Sequence, residues 1–175
     1  MNDDTLEIMD LLRELIESFT EHHDALKIEA KEYPGQCYWQ IKAHAAEQPK
    51  IVGRKGANIR ALQAVIAAIG QAIGEVYTVR LLEPDTTTRY GFTPPKKVTS
   101  YDPAPAIELL RWTAAAILDE DDDQVGIDCQ EPVPFNYTLR ITAPAQIAPE
   151  VQEALRTIWT AAGLSQGVIF KLEAK

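Results

Sequence analysis

Residues 51 to 62 read Ile51-Val52-Gly53-Arg54-Lys55-Gly56-Ala57-Asn58-Ile59-Arg60-Ala61-Leu62. An aliphatic pair runs into two glycines that bracket two cations, and an apolar-periodic segment follows at once. Glycine reaches backbone dihedrals closed to other residues, so this spacing predicts a tight loop. Downstream, Ile59, Leu62, Ile66, Ile69 and Ile73 recur every three or four positions, which predicts a helix over about Ala57 to Ile73. Ala61, Ala64, Ala67 and Ala68 favour that helix and allow close packing. Upstream, Gln48 to Val52 predicts a short helical turn.

Working outward, Leu6, Met9, Leu12, Ile16 and Phe19 form an apolar stripe that predicts a helix over residues 5 to 19, with Asp4 and Glu7 spaced as a capping box. Leu26, Ile28 and Ala30 alternate with Lys27, Glu29 and Lys31, and Trp39, Ile41, Ala43 and Ala45 alternate with Gln40, Lys42 and His44. Alternation of this kind predicts two strands, each with one buried face. Tyr33-Pro34-Gly35-Gln36 carries the residues of a type II turn, so the two strands pair as an antiparallel hairpin. Val76 to Leu82 predicts a third strand. A helical crossover delivers it, which lets it lie parallel to a neighbour. Residues 1 to 82 thus predict a two-layer α+β domain.

Residues 83 to 104 hold Pro84, Pro94, Pro95 and Pro103, three successive threonines and the pair Lys96-Lys97, which predict a linker or a surface strap. Residues 105 to 175 repeat the first plan. Ile107, Leu110, Ala114, Ile117 and Leu118 form a helical stripe, and Val125 to Cys129 match Leu26 to Ala30. Tyr137 to Ala143 match Trp39 to Ala45 at an offset of 98. A helix from Glu150 to Ala162, ending at Gly163, matches the helix ending at Gly70 at an offset of 93, and Val168 to Leu172 supply the last strand. Five residues are then missing where the first half has its glycine loop. A localised deletion inside a matching pattern predicts an internal duplication.

On these residues the first half resembles a type II KH domain, the bacterial kind in which an extra helix and strand precede the core. The aliphatic pair before Gly53, the isoleucine three positions after Gly56 and the flanking elements carry the resemblance. It is similar to small single-KH RNA-binding proteins and to the tandem KH region of transcription elongation proteins. The resemblance implies two tandem KH-like modules, each with helices on one face of a three-stranded mixed sheet, the second module degenerate. It also implies that single-stranded RNA is the partner.

The physical reading of the loop agrees. A helix start offers amides and a positive dipole end to an anion, and KH loops of this kind clamp the backbone of about four nucleotides. Gly53, Arg54, Lys55 and Gly56 are the expected clamp, with Lys50 and Arg60 on either side. Ile51, Ile59 and Ile41 are candidates for the floor of a groove beside the second strand, and Lys42 for a phosphate or base contact from that strand.

Composition limits the alternatives. With 46% hydrophobic and 25% charged residues, the chain has the make-up of a soluble globular protein, expected in the cytoplasm. No apolar run is long enough to span a membrane, and the N-terminus is acidic rather than signal-like. Two cysteines, Cys37 and Cys129, make no disulfide framework. His22, His23 and His44 lack the spacing of a zinc site, and no nucleophile–base pair stands out, so neither an enzyme, a metal nor a cofactor is expected. The net charge is −9, and residues 105 to 175 contribute five cations against eleven acids, including the run Asp119 to Asp123. Where the first half has its loop, this half reads Ala145-Gln146-Ile147-Ala148-Pro149-Glu150, with no basic pair. The second module is therefore expected to be a scaffold or a surface for a protein partner or self-association. The competing reading of the whole chain is a protein-interaction adaptor that reuses the KH fold without RNA. Trp112 and Trp159 either join the modules or belong to the core.

Overall fold

The structure, a computed structural model, describes residues 3–83 and 98–174. Most of the expected linker, with Lys96 and Lys97, lies outside the described residues. The first module runs α1 (Asp3–Glu17), β1 (Lys27–Tyr33), β2 (Gln36–Lys42), α2 (Gln48–Val52), α3 (Ala57–Ala72) and β3 (Val76–Leu81). The second runs α4 (Ala104–Leu118), β4 (Gly126–Val133), β5 (Asn136–Thr142), α5 (Pro149–Gln166) and β6 (Ile169–Ala174). Each module is an α+β unit with its own three-stranded sheet, ordered β1-β2-β3 and β4-β5-β6. The first two strands of each sheet are antiparallel and the last is parallel to the central one, as the crossover requires. The first helix begins at Asp3, ahead of the cap expected at Asp4, and β2 ends at Lys42, which leaves His44 in the following turn.

Alternation decides which face is buried. Cys37, Trp39 and Ile41 of β2 point at the helices together with Ile28, Tyr77 and Val79, and Trp39 stacks on Tyr77 with ring centres 4.8 Å apart. Leu11, Leu12, Leu15 and Ile16 of α1 and Leu62, Val65, Ile66 and Ile69 of α3 close over them. Tyr137, Leu139 and Ile141 of β5 do the same beneath α4 and α5. The two helical layers then meet. α3 packs on its counterpart α5, α1 on its counterpart α4, and one continuous core runs through both modules. The joint is made by these helices. Trp159 belongs to the second module, where its indole N–H donates to the Ala106 carbonyl at 3.3 Å, and Trp112 is half-buried at the rim.

The hairpins and helix ends correct the alignment of the two halves. Tyr33 pairs with Gln36 across a turn in which Gly35 has φ 71°, and Val133 pairs with Asn136 across a turn in which Phe135 has φ 63°. Ile41 opposes Ile28 as Ile141 opposes Ile127. The central strands therefore correspond at an offset of 100, Tyr137 taking the place of Cys37 and Leu139 that of Trp39. The offset of 98 slips by two residues, a slip that keeps every side chain on its face. At the long helices the offset is 93, so seven residues are absent from the second module, not five.

Gly70 and Gly163 fix that second register. Both helices end in a Schellman motif. Glu75 N donates to Gly70 O at 2.7 Å and Gly74 N to Gln71 O at 3.3 Å, while Val168 N donates to Gly163 O at 2.9 Å and Gly167 N to Leu164 O at 3.3 Å. Gly74 and Gly167, both at φ 77°, are the left-handed caps. Gly163 thus does not end its helix but lies inside it. A Cβ on Gly70 would stand 2.7 Å from the Glu75 carbonyl oxygen and 2.9 Å from the Tyr77 ring, and one on Gly163 would stand 2.9 Å from the Val168 carbonyl oxygen. Backbone blocks the space in both cases, so Gly70→Ala is expected to destabilise the protein by about 1–3 kcal/mol through overpacking, despite alanine's better helix propensity. Urea denaturation measures this, and a variant at least as stable as the parent would contradict the close approach.

Candidate nucleic-acid interface

The glycine loop forms where α2 stops. Gly53 N donates to Pro49 O at 2.9 Å and closes the last turn of α2. Gly53 itself has φ 70° and ψ 175°, a region open in practice only to glycine, and this throws the chain outward. Arg54 to Gly56 make one 3-10 turn, with Lys55 at φ 54° and Gly56 at φ 76°, and α3 begins at Ala57. Arg54 and Lys55 are exposed at the tip.

The glycines serve close packing as well as the backbone turn. The face where Gly53 lacks a Cβ is filled by the Asn58 amide, whose carbon would sit 2.5 Å from such an atom. Asn58 Nδ2 in turn donates to Lys50 O at 2.8 Å. Beside Gly56 lies the Arg60 guanidinium, which donates to Lys55 O at 2.8 Å. The helix start is also partly satisfied already, since Gly56 N donates to Gly53 O at 3.1 Å and Ala57 N donates to Arg54 O. The tip therefore presents cations more than bare amides.

The remaining expected residues separate into two groups. Arg60 is exposed and braces the loop, and Ile59 is half-buried beside it. Ile51 and Ile41 are fully buried in the core and offer no surface to a base. Lys50 is engaged, its ammonium lying 3.2 Å from Glu47 and 3.6 Å from Glu21. Lys42 is exposed, but β2 is the central strand, so its side chain stands on the open face of the sheet and lines no groove beside the helices. The edge strand next to α3 is β3. Just past its end Gln48 Nε2 donates to Leu82 O at 2.8 Å, and on its outer edge Gln63 Nε2 donates to Val79 O at 3.0 Å. Arg156 Nε caps Leu172 O in the same position of the second module, at 3.2 Å.

The sequence reading missed a polar cluster at the start of α2. Glu47 is only 2% exposed, accepts a hydrogen bond from His22 Nδ1 at 2.5 Å and faces the Lys50 ammonium. His22 stacks on His44 with ring centres 4.8 Å apart. Nothing local in the sequence joins His22 to Glu47, which are 25 positions apart. Burial by itself would push the Glu47 carboxyl up. The His22 hydrogen bond and the Lys50 ammonium outweigh it, and the carboxyl is held below its ordinary 4.5.

The second module has no comparable tip. Pro149 opens α5, Glu150 lies in its first turn, and Ile147 and Gln152 are buried, with Gln152 Nε2 donating to Ile147 O at 2.8 Å. Both cysteines are free, and burial pushes both thiols above their ordinary value. Among the described residues, no group of His, Cys, Asp and Glu could hold a metal ion, and no helix is long and apolar enough to cross a membrane. No family model, no curated protein and no solved structure matches the chain.

Because Glu47 is more acidic folded than unfolded, its contribution to stability is complete above its ordinary value of 4.5 and disappears as pH falls through the lower, folded value. Glu47→Gln is expected to cost about 1–3 kcal/mol at neutral pH, the worth of a hydrogen bond to a charged group. The gap from the parent should close under acid. Urea midpoints of both proteins, taken from neutral pH down to about 3, test this. A gap that stays constant with pH would show that the carboxylate charge contributes nothing.

Proposed function

We propose that the first module binds single-stranded RNA at the Gly53–Gly56 loop, with Arg54, Lys55 and Arg60 on phosphates and Ile59 beside them, and that the second module is a scaffold. The element order and the mixed sheet agree with the type II KH resemblance. The observation that carries the reading is Lys55. A lysine is held at φ 54° and ψ 28°, a left-handed conformation that costs an L residue about 1–2 kcal/mol and that glycine adopts freely. Phe135, at φ 63°, shows that such a conformation also serves a plain turn, so the weight rests on the charge held there: neither Arg54 nor Lys55 has an acidic partner among the described residues. Here the strain presents two adjacent charges to solvent on a protein whose net charge is −9.

Three phosphate contacts to a single strand give a salt slope of about −2. The acidic remainder of the protein keeps binding modest away from the loop. Specificity comes from unpaired base edges, not from the clamp. Ile51 and Ile41 take no part, and Lys50 contributes only if it leaves Glu47.

Fluorescence anisotropy with a short labelled RNA tests the reading. Arg54→Asp combined with Lys55→Asp should lower affinity by at least about tenfold, since two charge-assisted contacts are replaced by repulsion. Lys55→Gly should separate strain from charge, leaving thermal stability unchanged or raised while RNA affinity falls. If the aspartate pair folds and binds RNA as the parent does, the loop mechanism is wrong; if the parent itself binds no RNA, the protein-interaction adaptor becomes the better reading.

A further inference from the structure

The face of the first sheet turned away from the helices carries a second concentration of positive charge. Since Trp39, Ile41, Tyr77 and Val79 point inward, Lys27, Lys31, Lys42 and Arg80 share the outer face, and all four are exposed. Lys27 lies directly opposite Lys42 in the ladder, an arrangement of like charges that disfavours the pairing. The one acid on this face, Glu29, is opposed by Gln40, which in turn neighbours Arg80. Among the described residues none of the four cations has an acidic partner.

The second sheet is a built-in comparison. Its row equivalent to Glu29–Gln40–Arg80 is Asp128–Arg140–Glu173, in which the cation sits between two acids. Arg140 and Lys171 both bond Glu173 at 3.0 Å. The row equivalent to Lys27–Lys42 is Gly126–Thr142, with no charge at all. One scaffold therefore carries a neutralised face in one module and four cations to one acid in the other.

Position ties the charged face to the loop. β2 and β3 run parallel, and Lys42 and Arg80 stand at their C-terminal ends. Gln48 of α2 reaches Leu82 at that same end, so the loop and these cations share one end of the module. From the Lys27–Lys42 pair to the Lys31–Tyr38 pair, the strip runs about 13 Å along the strands. Tyr38, opposite Lys31 in the ladder, is half-buried, meets Tyr33 edge to face at 5.7 Å and donates its hydroxyl to Gln36; the pair adds aromatic surface of the kind on which bases stack.

We infer that this face is a second binding surface for the same single-stranded RNA, which leaves the loop, passes the β3 edge and lies across Arg80, Lys42, Lys27 and Tyr38. The inference rests on the loop reading for the direction of the strand. Its charge argument is independent of that reading. The other polyanion that could meet this face is the acidic run Asp119 to Asp123 of a second copy. RNA is favoured because the strip begins at the end of the sheet that α2 reaches and includes an aromatic ring.

The test uses the full chain, a uridine-rich RNA of about six nucleotides that fills the loop alone, and one of about twenty that can reach the face. Lys27→Gln, Lys42→Gln and Arg80→Gln are combined, and Lys27→Arg with Lys42→Arg is the rescue. The combined variant should bind the long RNA about tenfold more weakly, with a salt slope shallower by about 2, and should bind the short RNA unchanged. The arginine pair should bind as the parent does. Long-RNA affinity equal to the parent's would overturn the inference, while the loop variants' loss on the short RNA would leave the loop reading intact. Loss in the face variant together with parental binding by the Arg54→Asp, Lys55→Asp protein would overturn the loop reading and leave the face as the RNA site. Absence of RNA binding by the parent would remove both. Light scattering that shows a dimer dispersed by the face variant would assign the surface to the acidic run of a second copy and overturn RNA as its occupant.

Discussion

The reversal at the end of each long helix is the constraint from which the rest of the molecule follows. Within five residues α3 must stop, turn and enter the sheet as a strand parallel to β2. The Glu75 carbonyl occupies the volume that any side chain at position 70 would need. Only glycine allows it, and Gly163 repeats the solution in α5. The turn places β3 along α3, Gln63 then caps the Val79 carbonyl on the strand edge, Gln48 takes the Leu82 carbonyl just past the strand, and the loop stands at the other end of the helix. The candidate interface is thus aimed by a packing contact at the opposite end of its helix.

Much of this was legible in the residues. The order of elements, the hairpin turn at Pro34-Gly35, the short α2 and the internal repeat all follow from period and punctuation. The register between the halves did not. Apolar alternation repeats every two residues, so a slip of two leaves the pattern intact, and Tyr137 resembles Trp39 more than it resembles Cys37. Pro132 added to the difficulty. It lacks an N–H, and β4 shifts register between Gln130 and Val133, which breaks a simple count through the hairpin.

The candidate site shows a similar split. Arg54, Lys55 and Arg60 are where the loop was expected to put them, because turn glycines and charge are local signals. Burial is not local. Ile51 and Ile41 looked like groove residues and are core, since the aliphatic positions nearest the loop are also those that seal the helices to the sheet. Lys50 was expected beside the clamp and is held by Glu47 and by Glu21, an acid from a distant part of the chain next to the histidine that also bonds Glu47. Lys42 was expected to make a phosphate or base contact from its strand and stands on the open sheet, where its meaning depends on Lys27 and Arg80, neighbours that only the strand pairing reveals.

At the helical joint between the modules α3 meets its counterpart α5 and α1 its counterpart α4, with α3 also touching α4, an arrangement close to the way two identical subunits associate about a twofold axis. In an assembly of separate subunits every substitution appears twice, so both tips keep or lose a charge together. Tethering the halves in one polypeptide lifts that restriction. One half can shed seven residues and neutralise its outer strands while the other keeps its cations, and the shared core between them is left undisturbed.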